Sequence, residues 1–146
     1  MPTIGRAEPK RLEIPLPEGD RATVLVVDDE ADILEAIEAG IRGSLPQVQV
    51  LTARSGAEAL AILAHKRVNL IITDYKMPGM NGLEFLAAAQ GVARGTPSIM
   101  ISAFPDPKLV NLAVHDYGVR MFIAKPFDLD YFVDMLRTHL FPPRPG

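Results

Sequence analysis

Cysteine is absent from the 146 residues, which excludes disulfides, thiolate metal sites and cysteine nucleophiles. Histidine is scarce. His65, His115 and His139 lie far apart, which argues against a histidine-rich zinc site and leaves them as ordinary helix-surface residues. No apolar run approaches the roughly 20 residues needed to span a bilayer, so no membrane association is expected. Near the start, Arg6, Glu8, Lys10 and Arg11 are spread among prolines with no apolar signal-peptide core. A cytoplasmic location is therefore the expectation. A formal net charge of -3 leaves no basic excess for a broad nucleic-acid footprint, and direct nucleic-acid binding is not expected.

What is present is average for a globular protein, with 48% hydrophobic and 23% charged residues in a length that suits one domain. Residues 1–22 hold Pro2, Pro9, Pro15, Pro17 and Gly19 with acidic and basic residues in balance, and read as a flexible extension. Leu12, Ile14 and Leu16 alternate there and offer an apolar face to a sheet edge. Residues 23–141 form the domain proper, and 142–146 a proline-rich tail or the start of a linker.

From Thr23 the chain alternates short apolar runs with helical periodicity. Candidate strands are 23–27, 48–51, 68–73, 98–101 and 120–124. Between them, Ile33, Leu34, Ile37 and Ile41 recur at helical spacing, as do Leu83, Phe85, Leu86 and Ala89. Residues 57–64 form another helix, Leu109, Leu112, Ala113 and Tyr117 the next, stopped by Gly118, and Leu129, Phe132, Val133, Leu136 and Leu140 the last. Strands apolar on both faces and alternating with helices mean a parallel sheet covered on both sides. Five such units predict an α/β, flavodoxin-like, doubly wound five-stranded parallel sheet, order 2-1-3-4-5, with five helices.

In such sheets the site lies beyond the carboxyl ends of the strands. Here the first strand ends in Asp28-Asp29, the third in Asp74, the fourth in Ser102 and the fifth in Lys125. Three clustered carboxylates repel one another in a partly desolvated cleft, and a divalent cation with all-oxygen ligands, Mg²⁺, resolves that. With Lys125 the cation prepares the site for an incoming phosphoryl group, and a carboxylate nucleophile can accept it. The adjacent pair suits the metal and the solitary Asp74 suits acceptance. Singly, the residues have ordinary uses: Asp28-Asp29-Glu30 as acidic helix caps, Asp74 as a turn residue, Ser102 as a cap. None of those uses explains why all stand at one end of the sheet.

The segments Val24-Leu25-Val26-Val27-Asp28-Asp29-Glu30, Thr73-Asp74-Tyr75-Lys76-Met77-Pro78-Gly79-Met80-Asn81-Gly82, Ile101-Ser102-Ala103 and Ala124-Lys125-Pro126-Phe127 resemble the hallmarks of the response-regulator receiver family of two-component signal transduction, over about residues 23 to 140. The resemblance implies that Asp74 is the phosphoacceptor, served by a sensor histidine kinase, a phosphotransfer protein or a small phosphodonor. It implies that Asp29 binds Mg²⁺ directly and Asp28 mainly through water, with Asp74 and the Lys76 backbone carbonyl completing the ligands. Ser102 and Lys125 would hold phosphoryl oxygens, Phe122 would be the aromatic switch, and Pro126 matches the family's cis-proline. Lys76 and Phe104 stand at the positions that tune phosphoryl lifetime, and their bulk predicts a long-lived phosphoform.

Some features depart from the family pattern. Phe122 lacks a tyrosine hydroxyl, Pro105 and Pro107 threaten to shorten or shift the fourth helix, and the Ser102 to Lys125 stretch is about one residue longer than the commonest spacing in the family. The implied output is a changed surface on the fourth helix, fifth strand and fifth helix, controlling an effector domain beyond residue 146 or a separate protein. The same face suits a homodimer, with Tyr131, Asp134 and Arg137 as candidates. The protein is expected to be a signalling receiver that catalyses only its own phosphorylation and dephosphorylation. A phosphatase is disfavoured because position 76 carries lysine where a general acid is needed. A dinucleotide site is disfavoured because no Gly-x-Gly-x-x-Gly follows the first strand. A purely structural dimerisation domain is disfavoured by the intact polar set.

Overall fold

The computed structural model describes residues 21–104 and 106–142. The expectations for Leu12, Ile14 and Leu16, for Pro105 and for the tail from residue 143 fall outside them. Elements alternate along the chain as β1 (Ala22–Val27), α1 (Ala31–Ser44), β2 (Val48–Ala53), α2 (Gly56–Leu63), β3 (Leu70–Asp74), α3 (Gly82–Ala89), β4 (Ser98–Ser102), α4 (Pro107–Tyr117), β5 (Val119–Ala124) and α5 (Leu129–Leu140). All strand pairs are parallel, in the order β2-β1-β3-β4-β5.

The alternation of side chains along each strand divides the core into two layers. Val24, Val26, Ile72, Ile99 and Ile101 face Leu34, Ile37 and Ile41 of α1 and Phe132, Val133 and Leu136 of α5. Leu25, Val27, Ile71 and Met100 face Ala59 of α2, Phe85 and Leu86 of α3 and Ala113 of α4. β3 and β4 are buried along their whole length, as central parallel strands must be when helices cover both faces. β2 lies at an edge and exposes Gln49.

Local chemistry starts and stops the helices near the site. Asn81 and Glu84 form a reciprocal capping box that opens α3. Asp106 accepts the Leu109 N–H at 2.9 Å and opens α4. Pro107 occupies the first turn of α4, where a missing N–H costs nothing, so α4 runs for 11 residues to the left-handed Gly118 (φ 69°) without truncation. The pairing of β4 with β5 carries a register shift at the amino end of β5. Ser98 pairs with Val119 but Ile99 with Met121, leaving Arg120 as a bulge. Beyond it the register is regular, Ser102 faces Ala124, and the Lys125 N–H donates to the Ser102 carbonyl at 3.0 Å.

Gly82 lies behind the end of β3. Its N–H donates to the Tyr75 carbonyl at 2.7 Å, and a Cβ there would stand 2.5 Å from the Asp74 carbonyl oxygen, a backbone atom with nowhere to go. Gly43, exposed near the end of α1, has nothing within 4 Å of an added Cβ. We expect Gly82→Ala to lower stability by about 1–3 kcal/mol through overpacking. Gly43→Ala should raise it by about 0.5–1 kcal/mol through helix propensity. Urea unfolding of both variants checks this, and equal midpoints would refute the account.

Candidate functional site

Five strand ends and loops converge at the carboxyl edge of the sheet. Asp28 follows β1 and is 1% exposed; Asp74 ends β3 and is 5% exposed. Asp29 is half-buried beside them, and one carboxylate oxygen from each of the three lies within 4.8 Å of the others. Adjacency of β1 and β3 in the sheet brings them together across 46 residues of sequence.

Among the described residues, Lys125 is the cation paired with this cluster. Lys125 Nζ stands 3.3 Å from Asp28 Oδ2, 3.3 Å from Asp74 Oδ1 and 3.4 Å from Glu30 Oε1. An ammonium has three protons to donate, and three carboxylates surround it. Its backbone is set by the bond to Ser102 on one side and the cis peptide to Pro126 on the other.

Burial dominates the electrostatics. Desolvation lifts the Asp28 carboxyl above its ordinary range, against the opposing pull of the Glu30 N–H and Lys125. Asp74 is pushed up to about 6, first by burial and then by the negative charge of Asp28, with Lys125 working the other way. Burial opposes charge on Lys125, but Asp28 and Asp74 outweigh it, and its affinity for a proton rises. Two buried carboxylates lifted in this way, with a third in reach, form a donor set that a hard divalent cation would satisfy.

The remaining residues singled out in the sequence lie around this centre. Ser102 is buried, and its hydroxyl oxygen accepts the Phe104 N–H at 3.2 Å. Phe122 is partly buried against the α2–α3–α4 layer. Lys76, Met77 and Pro78 wall one side of the cleft that holds Asp29, Glu30, Asp74 and Lys125. Phe104 is 86% exposed and lines a separate apolar cleft of about 650 Å³ with Ile33, Ile37, Pro126 and Phe127. Tyr131 is exposed on α5, while Asp134 and Arg137 pair with one another along that helix.

Two participants escape a sequence reading. Arg54 Nη2, at the end of β2, donates to the Asp29 carbonyl at 3.2 Å and braces the acidic turn. Position after a strand end was the available signal, but an exposed arginine has no periodicity to betray it. Gly82 stands directly behind Asp74, and although it closes one of the hallmark segments, the sequence gives no sign of that contact.

Residues 24–137 match the response regulator receiver domain. The hydrogenase transcriptional regulatory protein HoxA of Cupriavidus necator is 35% identical over 117 residues, 80% of this chain and 24% of HoxA. The transcriptional regulatory protein GlrR of Escherichia coli is 37% identical over 112 residues, 75% of this chain and 24% of GlrR. KdpE, a transcriptional regulatory protein of Mycobacterium tuberculosis, is 35% identical and is matched over 79% of this chain and 49% of its own length. The chain thus spans between a quarter and a half of these relatives. The solved structure of the Vibrio cholerae chemotaxis protein CheY4 superposes with a TM-score of 0.75 at 30% identity, over 82% of this chain and 99% of that one. With its sheet order and its matched length, this chain belongs to the response regulator receiver family.

Proposed function

We propose that the protein is a Mg²⁺-dependent phosphorylation switch in which Asp74 accepts a phosphoryl group from a sensor histidine kinase, a phosphotransfer protein or a small phosphodonor. The observation that carries the reading is one half-buried ammonium, Lys125, shared between the buried carboxylates of Asp28 and Asp74 at the carboxyl edge of the sheet. Asp28, Asp29, Asp74 and the Lys76 backbone carbonyl would hold the metal, which when bound offsets negative charge on the carboxylates and on the phosphoryl oxygens.

The chain's own groups do the rest. An Asp74 carboxylate oxygen attacks phosphorus, and the leaving group departs with the electron pair of the bond it held. Lys125 balances charge on a phosphoryl oxygen. The Ser102 hydroxyl accepts from Phe104 in the unmodified state, which leaves its own proton free to donate to another phosphoryl oxygen. Such a move of Ser102 opens room for Phe122 to follow inward and alters the α4, β5 and α5 surface. That surface would then control an effector or a second copy of the chain through Tyr131 and its neighbours. Residues 23–141 form the switching unit in this reading, between an extension (1–22) and a proline-rich segment (142–146). Catalysis is limited to the protein's own modification and its reversal.

Incubation with acetyl phosphate and Mg²⁺ should add one phosphoryl, about 80 Da by intact mass, in wild type and none in Asp74→Asn. An adduct that persists in Asp74→Asn, or that forms equally in a chelator, would sink the assignment.

Lys76 walls the cleft while Phe104 stands out in solvent. Lys76→Asn should therefore speed loss of the phosphoryl group, and Phe104→Ala should change it less. Decay followed by mass after donor removal tests this, and an unchanged Lys76→Asn rate would exclude a shielding role.

Because the folded-state pKa of Asp74 lies above its ordinary 3.8, at about 6, the folded protein retains a proton that the unfolded chain releases. Stability from this group is therefore lost as pH rises from about 4 to 6. In metal-free buffer at pH 8, Asp74→Asn should be more stable than wild type by about 1–3 kcal/mol, with the gain absent near pH 4 and reduced by Mg²⁺. Denaturation at both pH values, with and without Mg²⁺, provides the comparison.

A further inference from the structure

Glu30 occupies the N-cap position of α1, yet its side chain makes no capping bond. Its carbonyl accepts the Leu34 N–H at 3.2 Å, and its own N–H donates to Asp28 Oδ1 at 2.9 Å, so the backbone is fully engaged. The carboxylate turns instead into the cleft and reaches Lys125 Nζ at 3.4 Å. It is the third acceptor on an ammonium whose other two, Asp28 and Asp74, are almost completely buried. Its side chain is 60% exposed, against 2% and 6% for theirs.

That asymmetry decides which partner yields. A phosphoryl oxygen arriving at Lys125 finds the ammonium hydrogen-bonded to Asp28 and Glu30 and ion-paired with Asp74, and must displace one of these acceptors. The exposed pair is screened by water and salt and is the weakest of the three. We propose that Glu30 is the exchangeable partner of Lys125: it holds the ammonium in place before phosphorylation, gives it up to the phosphoryl group, and selects among phosphodonors by their negative charge. The assignment rests on the phosphoacceptor reading of Asp74 and adds a specificity residue to it. A fixed carboxylate at the cleft mouth repels a dianionic donor more than a monoanionic one, and removing it relieves the first more than the second.

The test compares acetyl phosphate, a dianion at neutral pH, with phosphoramidate, a monoanion. In both, an Asp74 oxygen forms the new bond to phosphorus. Acetate leaves from the first with the broken P–O pair, and ammonia from the second with the broken P–N pair. Initial rates of adduct formation are measured by intact mass with Mg²⁺ at low and high ionic strength. The proteins are wild type, Glu30→Gln and Glu35→Gln, the last removing an exposed charge elsewhere on α1. Glu30→Gln should raise the acetyl phosphate rate relative to the phosphoramidate rate by about threefold at low salt, fading at high salt. Glu35→Gln should leave the ratio unchanged. An unchanged ratio in Glu30→Gln, or an equal change in Glu35→Gln, overturns the role of Glu30 while leaving Asp74 as acceptor. No adduct from either donor in wild type overturns the acceptor reading and this assignment with it.

Discussion

The site depends on a single ammonium placed among carboxylates that would otherwise repel. Asp28 and Asp74 are buried against the ends of β1 and β3, where water cannot solvate their charge. Lys125 reaches both from the end of β5. Taking such groups out of water costs several kcal/mol each, and the Coulomb attraction of one lysine returns only part of it. The cluster is therefore under-compensated, as the upward displacement of both aspartates indicates. An under-compensated anionic pocket favours further positive charge, and that is the property on which the proposed phosphoryl acceptance rests. The apolar sheet beneath supplies the rigidity that keeps the groups at these distances.

The surroundings of Lys125 follow from the same constraint. Its backbone is tied to Ser102 by a direct hydrogen bond, so the hydroxyl and the ammonium belong to one rigid pair of strand ends. The bulge at Arg120 lies at the far end of β5, which leaves this pairing undisturbed. On the other side, Arg54 braces the Asp29 carbonyl and Gly82 lets α3 approach the Asp74 backbone. Each contact holds a backbone atom of the acidic loops, so the side chains converge without reorganisation. Proteins named as transcriptional regulators match this chain in sequence over a quarter of their own length, and a chemotaxis protein matches its fold over almost its whole length, so one fold is found in proteins with different printed roles.

Much of the fold was legible because burial on both sheet faces writes itself as uninterrupted apolar runs. Those of 23–27 and 98–101 mark β1 and β4 to within a residue. The third strand starts at Leu70 and not at Val68, because Val68 is buried in the approaching loop and apolarity alone does not separate loop from strand. Pro107 was an ambiguous signal. Proline breaks a helix interior but suits a first turn, and only the position of Asp106 as cap decides between them. Glu30 was legible as an acidic residue at a helix start, the usual sign of a cap. Its side chain does something else, because a lysine 95 residues away offers a stronger partner than the helix end.

By itself the sequence determined the order of strands and helices, the sheet class, and the presence of Asp28, Asp29, Asp74, Ser102 and Lys125 at strand ends. These depend on periodicity and on short-range punctuation, which are local properties of the chain. Tertiary structure alone decided how those groups share one another. The three-way contact at Lys125, the brace from Arg54, the close approach of Gly82 and the elevated Asp74 carboxyl all depend on distances between segments far apart in sequence. Electrostatic energy varies with separation and with burial, and neither quantity exists until the sheet has closed.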